Sequence, residues 1–203
     1  MLEAVNLGCA RGERRLFSGL NFSLPAGTFL QAFGPNGSGK TSLLRIVCGL
    51  TAPAAGEVRW DGTNIRRLGE EYFAQIAYVA HQNGIKDELD PIENLRISCG
   101  VAGNALSKRD AQAVLERVGL SKQEHLPARL LSAGQRRRLA LSRLLASRAR
   151  LWILDEPLAS LDDDGATLAR KLISEHLTND GMAIIATHQE MGLSARQMQR
   201  LEL

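Results

Sequence analysis

The chain has 203 residues, with 25 lysines and arginines against 22 acids and a net charge of +3. A polypeptide of this length buries roughly 70% of its unfolded surface and needs no disulfide or metal to complete a core. Its 44% hydrophobic and 23% charged composition is that of a globular protein, which excludes a disordered tail, a collagen repeat and a disulfide scaffold.

No uninterrupted apolar run of about 18 residues exists, so no membrane-crossing helix is expected. The first residues carry Glu3 and no long apolar stretch, unlike a secretory signal. Cys9, Cys48 and Cys99 are odd in number and scattered, with no CxxC. They are expected to be plain thiols in a reducing compartment rather than a disulfide framework or a zinc site.

In chain order, Leu2–Leu7, Leu20–Leu24 and Thr28–Phe33 read as short strands, with Pro25-Ala26-Gly27 as a turn. A glycine-rich loop, Gly34–Gly39, follows. Leu43, Leu44, Val47 and Leu50 then share one helical face, with Gly49 near the stop. Glu57–Trp60 and Ile76–Ala80 are further strands, the first followed by an Asp61-Gly62 turn. From Gln82 to Leu131 β-branched residues thin out and helix formers dominate. Ser107–Asp110 resembles a capping box, Ala111, Val114, Leu115 and Val118 make an apolar face, and Gly119 is placed as a C-cap. A basic helix is expected from Ser132 to about Ala149. Leu151–Leu154 and Met182–Ala186 are wholly apolar, as strands covered on both faces of a parallel sheet are. The expected fold is α/β, with antiparallel strands at the N-terminus and a helical insertion.

Gly34-Pro35-Asn36-Gly37-Ser38-Gly39-Lys40-Thr41 matches G-x-x-x-x-G-K-[ST] in full, between a strand and a helix. Such a loop turns backbone N–H groups inward around phosphates, with Lys40 reaching the β- and γ-phosphates and Thr41 offering a hydroxyl to Mg²⁺. Ser42 continues the nucleotide-contacting run. Asp155 and Glu156 follow the apolar run at 151–154, where open α/β sheets bind ligands. Asp155 is the expected Mg²⁺ group and Glu156 the expected general base.

Leu131-Ser132-Ala133-Gly134-Gln135 resembles the LSGGQ signature of ABC-type ATPases, with Ala133 in place of the first glycine. In the same resemblance Gln82 stands as the Q-loop glutamine, Ser160-Leu161-Asp162 as the D-loop and His188 as the switch histidine. The motifs occur in the family's order over nearly the whole chain. The resemblance implies a P-loop NTPase core and one ATP-binding domain over 1–203. Residues 1–82 and 132–203 then form the core and 83–131 a helical subdomain. It also implies a head-to-tail homodimer. Ser132, Ala133, Gly134, Gln135 and Asp162 of one copy then meet the nucleotide held by the other, and Gln82 joins Thr41 and Asp155 at Mg²⁺. The family usually has an aromatic residue for adenine at the position of Arg11, so base selectivity stays open.

The insertion is too short for the coiled coil of chromosome or repair ATPases. A narrower resemblance is to the haem-exporter ATP-binding subunits of cytochrome c maturation. It is carried by Leu16–Leu20 with Phe22, His81–Lys86, Glu93–Leu95, Leu131–Gln135, Leu151–Pro157 and Thr187–Gln189. It implies a peripheral subunit on the cytoplasmic face of the bacterial inner membrane. Two such chains would work with two integral permease chains in haem export, or in release of a haem-loaded chaperone. Another small ABC transporter is the nearest alternative. A nucleic-acid-linked ATPase is the other, resting on Arg136, Arg137, Arg138, Arg143, Arg148 and Arg150. A solvated or capping basic face explains that cluster better, because no aromatic residues interleave it.

His81, His125, His176 and His188 are the only histidines, and there is no CxxCH. His125 and His176 are expected at the surface. The purified chain is therefore expected to hold no stoichiometric haem. A Soret band of one haem per chain after gel filtration would contradict this.

Overall fold

The computed structural model describes residues 1–193 and 198–203. β1 (Leu2–Arg11) and β2 (Arg14–Leu24) form a long hairpin, and β3 (Phe29–Phe33) leads into α1 (Lys40–Val47). β4 (Ala55–Trp60), β5 (Thr63–Asn64), the single turns α2 (Ile65–Leu68) and α3 (Glu70–Phe73), and β6 (Ile76–Val79) follow. The helical segment holds α4 (Pro91–Val101) and α5 (Lys108–Arg117). α6 (Ala133–Ala146), β7 (Leu151–Asp155), α7 (Asp163–Thr178), β8 (Met182–Ala186) and β9 (Met198–Glu202) complete the order.

β2-β1-β4-β5 make an antiparallel sheet, and β6-β7-β8-β3-β9 a second sheet whose pairings are all parallel. Alternation along β7 and β8 feeds two cores at once. Leu151, Ile153, Met182 and Ile184 face α1 and the antiparallel sheet, whereas Trp152, Leu154, Ala183 and Ile185 face α6 and α7. A third cluster unites Leu95, Leu115, Val118 and Leu131 with Leu139 of α6. Burial of each such Leu contributes about 1.5–3 kcal/mol.

Caps set the helical segment. Asp90 and Glu93 form a reciprocal capping box at α4, with Pro91 inside the first turn. The Asn94 side chain, 6% exposed, accepts from the Lys86 amide and donates to the carbonyls of Lys86, Leu89 and Asp90 at 2.8–3.1 Å. The loop before α4 is thus built around one amide.

Several expectations change. β1 and β2 run longer than their apolar cores, because pairing in the hairpin carries them on to the Arg11–Arg14 register. Leu50 lies beyond the end of α1 and is 56% exposed, so it is no part of the buried face. α6 ends at Ala146 rather than Ala149. β9 had no signal in its polar sequence, and its pairing with β3 makes it a strand. The basic run is not uniformly solvated. Arg137 is buried and Arg143 is half-buried, while Arg148 and Arg150 are exposed. The three cysteines are free and buried.

His125 lies at the surface, but His176 does not. Its ring stacks on Trp152 at 3.9 Å and 6°, with Nε2 3.1 Å from the Met182 carbonyl. A Cβ at Gly181 would sit 2.4 Å from this ring, so a larger residue there would have to displace it. Burial lowers the His176 pKa from its ordinary 6.5. The folded state therefore favours neutral His176. Its contribution is fully present above the unfolded value of about 6.5 and is lost as pH falls towards the lower folded value. Urea midpoints of the parent should accordingly fall relative to those of His176→Phe as pH is taken below about 6.5. A pH-independent difference between the two would show that His176 does not titrate in this way.

Candidate functional site

The parallel sheet brings four strand ends to one edge. The loop 34–39 leaves β3, His81 and Gln82 follow β6, Asp155 and Glu156 end β7, and Thr187 and His188 end β8. At that edge lies a pocket of ≈ 500 Å³. Its walls include Arg11, Asn36, Gly37, Gly39, Lys40, Thr41, Ser42, Asp155 and Glu156, all singled out from sequence. Arg14, Leu16 and His81 also line it.

The loop is held locally. Gly39, at φ 113, is the N-cap of α1, and a Cβ there would press on Leu16 and Phe17 at 3.2 Å. The nearly buried Lys40 ammonium turns back into the loop and donates to the Gly34 and Pro35 carbonyls at 2.6 and 3.1 Å. Ser38 Oγ is buried without a partner.

The Thr41 hydroxyl donates to Asp155 Oδ2 at 2.9 Å. Asp155 is only 3% exposed, and burial raises its pKa above the ordinary carboxylate value. The Thr41 hydrogen bond opposes that rise, nearby Glu156 adds to it, and His81 and Arg137 oppose it. A hydroxyl and a carboxylate side by side form the hard-oxygen donor set that Mg²⁺ takes, with phosphates and water supplying the rest. Among the described residues no cluster of three His, Cys, Asp or Glu could hold a metal by itself.

Glu156 is held from several sides. Its carboxylate accepts from the Thr187 hydroxyl at 2.9 Å and lies 3.1 Å from His188 Nδ1. Its amide donates to the Ala186 carbonyl at 2.8 Å. Its φ of 49° is a left-handed conformation that costs a non-glycine residue roughly 1–3 kcal/mol. The supporting contacts hold it there.

Gln82 is exposed and is not among the pocket walls; its neighbour His81 is. The signature segment also lies outside the pocket. Ser132 N-caps α6, and its hydroxyl accepts from the Gln135 amide at 3.2 Å, which leaves its own proton free to donate. Gln135 Oε1 accepts from the Ser132 amide in return, at 2.9 Å. Ala133 is an exposed first helical residue, where a methyl group meets no obstacle. At Gly134 a Cβ would lie 3.0 Å from the Ser160 carbonyl, so a side chain at the second glycine of the pattern would press on that backbone. Asp162 N-caps α7 through the Gly165 amide at 2.9 Å.

Sequence reasoning missed Arg14, Leu16, His81 and Thr187 as members of the site. Arg14 had a signal, being the partner of Arg11 across a Gly12-Glu13 turn. Thr187 had one in its position directly before His188. His81 had the same kind of signal, standing directly before Gln82. Leu16 had none, because which side chain of a hairpin turns inward is set by tertiary packing.

An ABC transporter family model matches residues 17–159. The cytochrome c biogenesis ATP-binding export protein CcmA of Nitrosospira multiformis is 52% identical over 202 residues, covering 100% of this chain and 98% of that protein. The protein of the same name from Nitrosomonas europaea is 51% identical, with 100% and 95% covered. Among solved structures, a putative ABC transporter ATP-binding protein from Pyrococcus furiosus superposes with a TM-score of 0.85 at 24% identity, covering 98% of this chain and 96% of that one. The ABC transporter cassette MJ0796, described as dimeric, gives 0.84 at 22% identity, with 100% and 94% covered. These two likenesses concern the fold. The chain belongs to the ABC transporter family of ATP-binding subunits, among the cytochrome c biogenesis ATP-binding export proteins.

Proposed function

We propose that the chain is the ATP-hydrolysing, energy-coupling subunit of an inner-membrane complex for c-type cytochrome biogenesis. Its ATP turnover would drive haem export or release a haem-loaded chaperone. The observation that carries the hydrolytic reading is Glu156, braced between Thr187 and His188 beside the phosphate loop. The 52% identity to the Nitrosospira protein over the full chain supports the biological setting.

In this reading the whole chain is one ATP-binding domain, with its core in 1–82 and 132–203 and its helical subdomain in 83–131. The loop from Gly34 to Gly39 surrounds the phosphates, with Ser42 beside it. Lys40 exchanges loop carbonyls for β- and γ-phosphate oxygens. Thr41 and Asp155, with Gln82 from its loop, hold Mg²⁺, which neutralises developing phosphate charge when bound. Glu156 takes the proton of the attacking water, and His188 orients that carboxylate and meets the γ-phosphate. Arg11 receives the base on its guanidinium plane.

The γ-phosphate side is completed by a second copy, through the Ser132 hydroxyl and the N-terminal dipole of α6 with Ala133, Gly134 and Gln135. Asp162 lines that contact. Residues near Asn83–Asn94, next to Gln82, would border the groove that receives a cytoplasmic helix of the permease. Among the described residues no helix is long and apolar enough to cross a membrane, which suits a peripheral subunit.

Glu156→Gln should bind ATP, lose nearly all turnover and accumulate an ATP-bound dimer in light scattering. A monomer under these conditions would remove the composite site. Lys40→Ala should weaken nucleotide binding itself. Unchanged ATP affinity by calorimetry would refute the phosphate role of Lys40.

A further inference from the structure

Arg137 lies in the second turn of α6 and is 2% exposed. Each of its N–H donors has an acceptor. Nε donates to the Pro157 carbonyl at 3.3 Å. Nη1 donates to the Ala80 carbonyl at 2.9 Å and to Asn83 Oδ1 at 3.0 Å. Nη2 donates to the Asp155 and Glu156 carbonyls at 2.7 and 2.8 Å. Arg143, further along α6, donates to the Asn83 carbonyl at 2.6 Å.

Burying a cation is costly, and the Asp155 and Glu156 carboxylates favour the Arg137 charge only from beyond ion-pair distance; an apolar side chain of similar volume fills such a place more cheaply. Among the described residues no ion pair includes Arg137. What the guanidinium provides is a planar fork that joins three pieces of backbone. These are the end of β6 with its following loop, the exit of β7 and the helix that begins at the signature. One of the carbonyls it holds belongs to Glu156, whose left-handed backbone needs fixing from outside.

We infer that Arg137 is a positioning residue for ATP hydrolysis, fastening the Glu156 backbone and the Asn83 loop to the signature helix. The inference rests on the reading of Glu156 as the group that activates water. It adds a route between two sites. The helix end that would meet the partner's nucleotide and the carboxylate that serves this chain's own nucleotide are joined through one side chain. A movement of α6 on dimer closure is thereby carried to the Glu156 backbone. Displacing a catalytic group by roughly 1 Å costs on the order of 100-fold in rate.

The test is single-turnover ATP hydrolysis by the full chain, at protein excess. Nucleotide-binding sites are counted by calorimetric titration of the same preparation. Arg137→Lys keeps the charge but cannot span the acceptors of a planar fork. It should bind ATP within about threefold of the parent and hydrolyse it at least about tenfold more slowly per binding site. Asn83→Ala removes one acceptor and keeps the arginine, and should slow the step by a smaller factor with the same unchanged affinity. Parental rates in both variants would overturn the inference, as would rate and affinity falling together. If Arg137→Lys does not fold, Asn83→Ala decides alone by the same criteria. Glu156→Gln run alongside separates the two claims. If it is inactive while the other variants are fully active, only the positioning role fails. If it hydrolyses ATP at the parental rate, the reading of Glu156 fails and the positioning role with it.

Discussion

The whole site depends on the parallel pairing of the central sheet. Parallel strands point their C-terminal ends the same way, so every loop that leaves them opens at one edge. β7 pairs with β8 up to Asp155 opposite Ala186, and β8 pairs with β3 up to Ala32 opposite Ala186. This register places the Thr41 hydroxyl on Asp155 and the Thr187 hydroxyl on Glu156, contacts between residues far apart in the chain. A slip of one residue along β7 would turn Asp155 to the opposite face. The alternation of Leu151, Trp152, Ile153 and Leu154 between two cores resists that slip, because each would lose its own core.

Polar groups buried in that edge are satisfied mostly by backbone carbonyls. Lys40 and Arg137 both donate to loop or strand-end carbonyls. A carbonyl at a strand end has no ladder partner, and an unpaired buried one is costly. Side-chain donors therefore stabilise the irregular backbone from which an active edge must be built. Among the described residues only Ser38 Oγ and Arg138 Nε are buried side-chain polar atoms without a partner. Ser38 belongs to the glycine-rich loop 34–39.

Much of this was legible in the chain. The apolar runs at 151–154 and 182–186 marked strands covered on both faces, and the cap read at Ser107 sits where its side chain receives an amide. The P-loop and the acids after β7 do meet at one pocket. Other features were hidden. β9 is polar in sequence and is a strand because β3 offers it an edge. His176 looked like a surface residue, but Trp152 and the bare backbone of Gly181 made room for its ring. Arg137 could not be told from Arg136 and Arg138, since adjacent helical residues point in directions about 100° apart and only packing says which direction is inward.

The sequence by itself determined the chemistry. A complete phosphate loop, two carboxylates after an apolar strand and a signature-like segment are local patterns, and local patterns specify which groups are present and on which kind of element. Tertiary structure alone decided which groups touch. It set His81 rather than Gln82 against the pocket, Arg14 beside Arg11, and a buried guanidinium between the signature helix and Glu156. Contacts of this kind join strand ends and helices far apart in the chain, so they exist only once the sheet has closed its register and the helices have been pressed onto its faces.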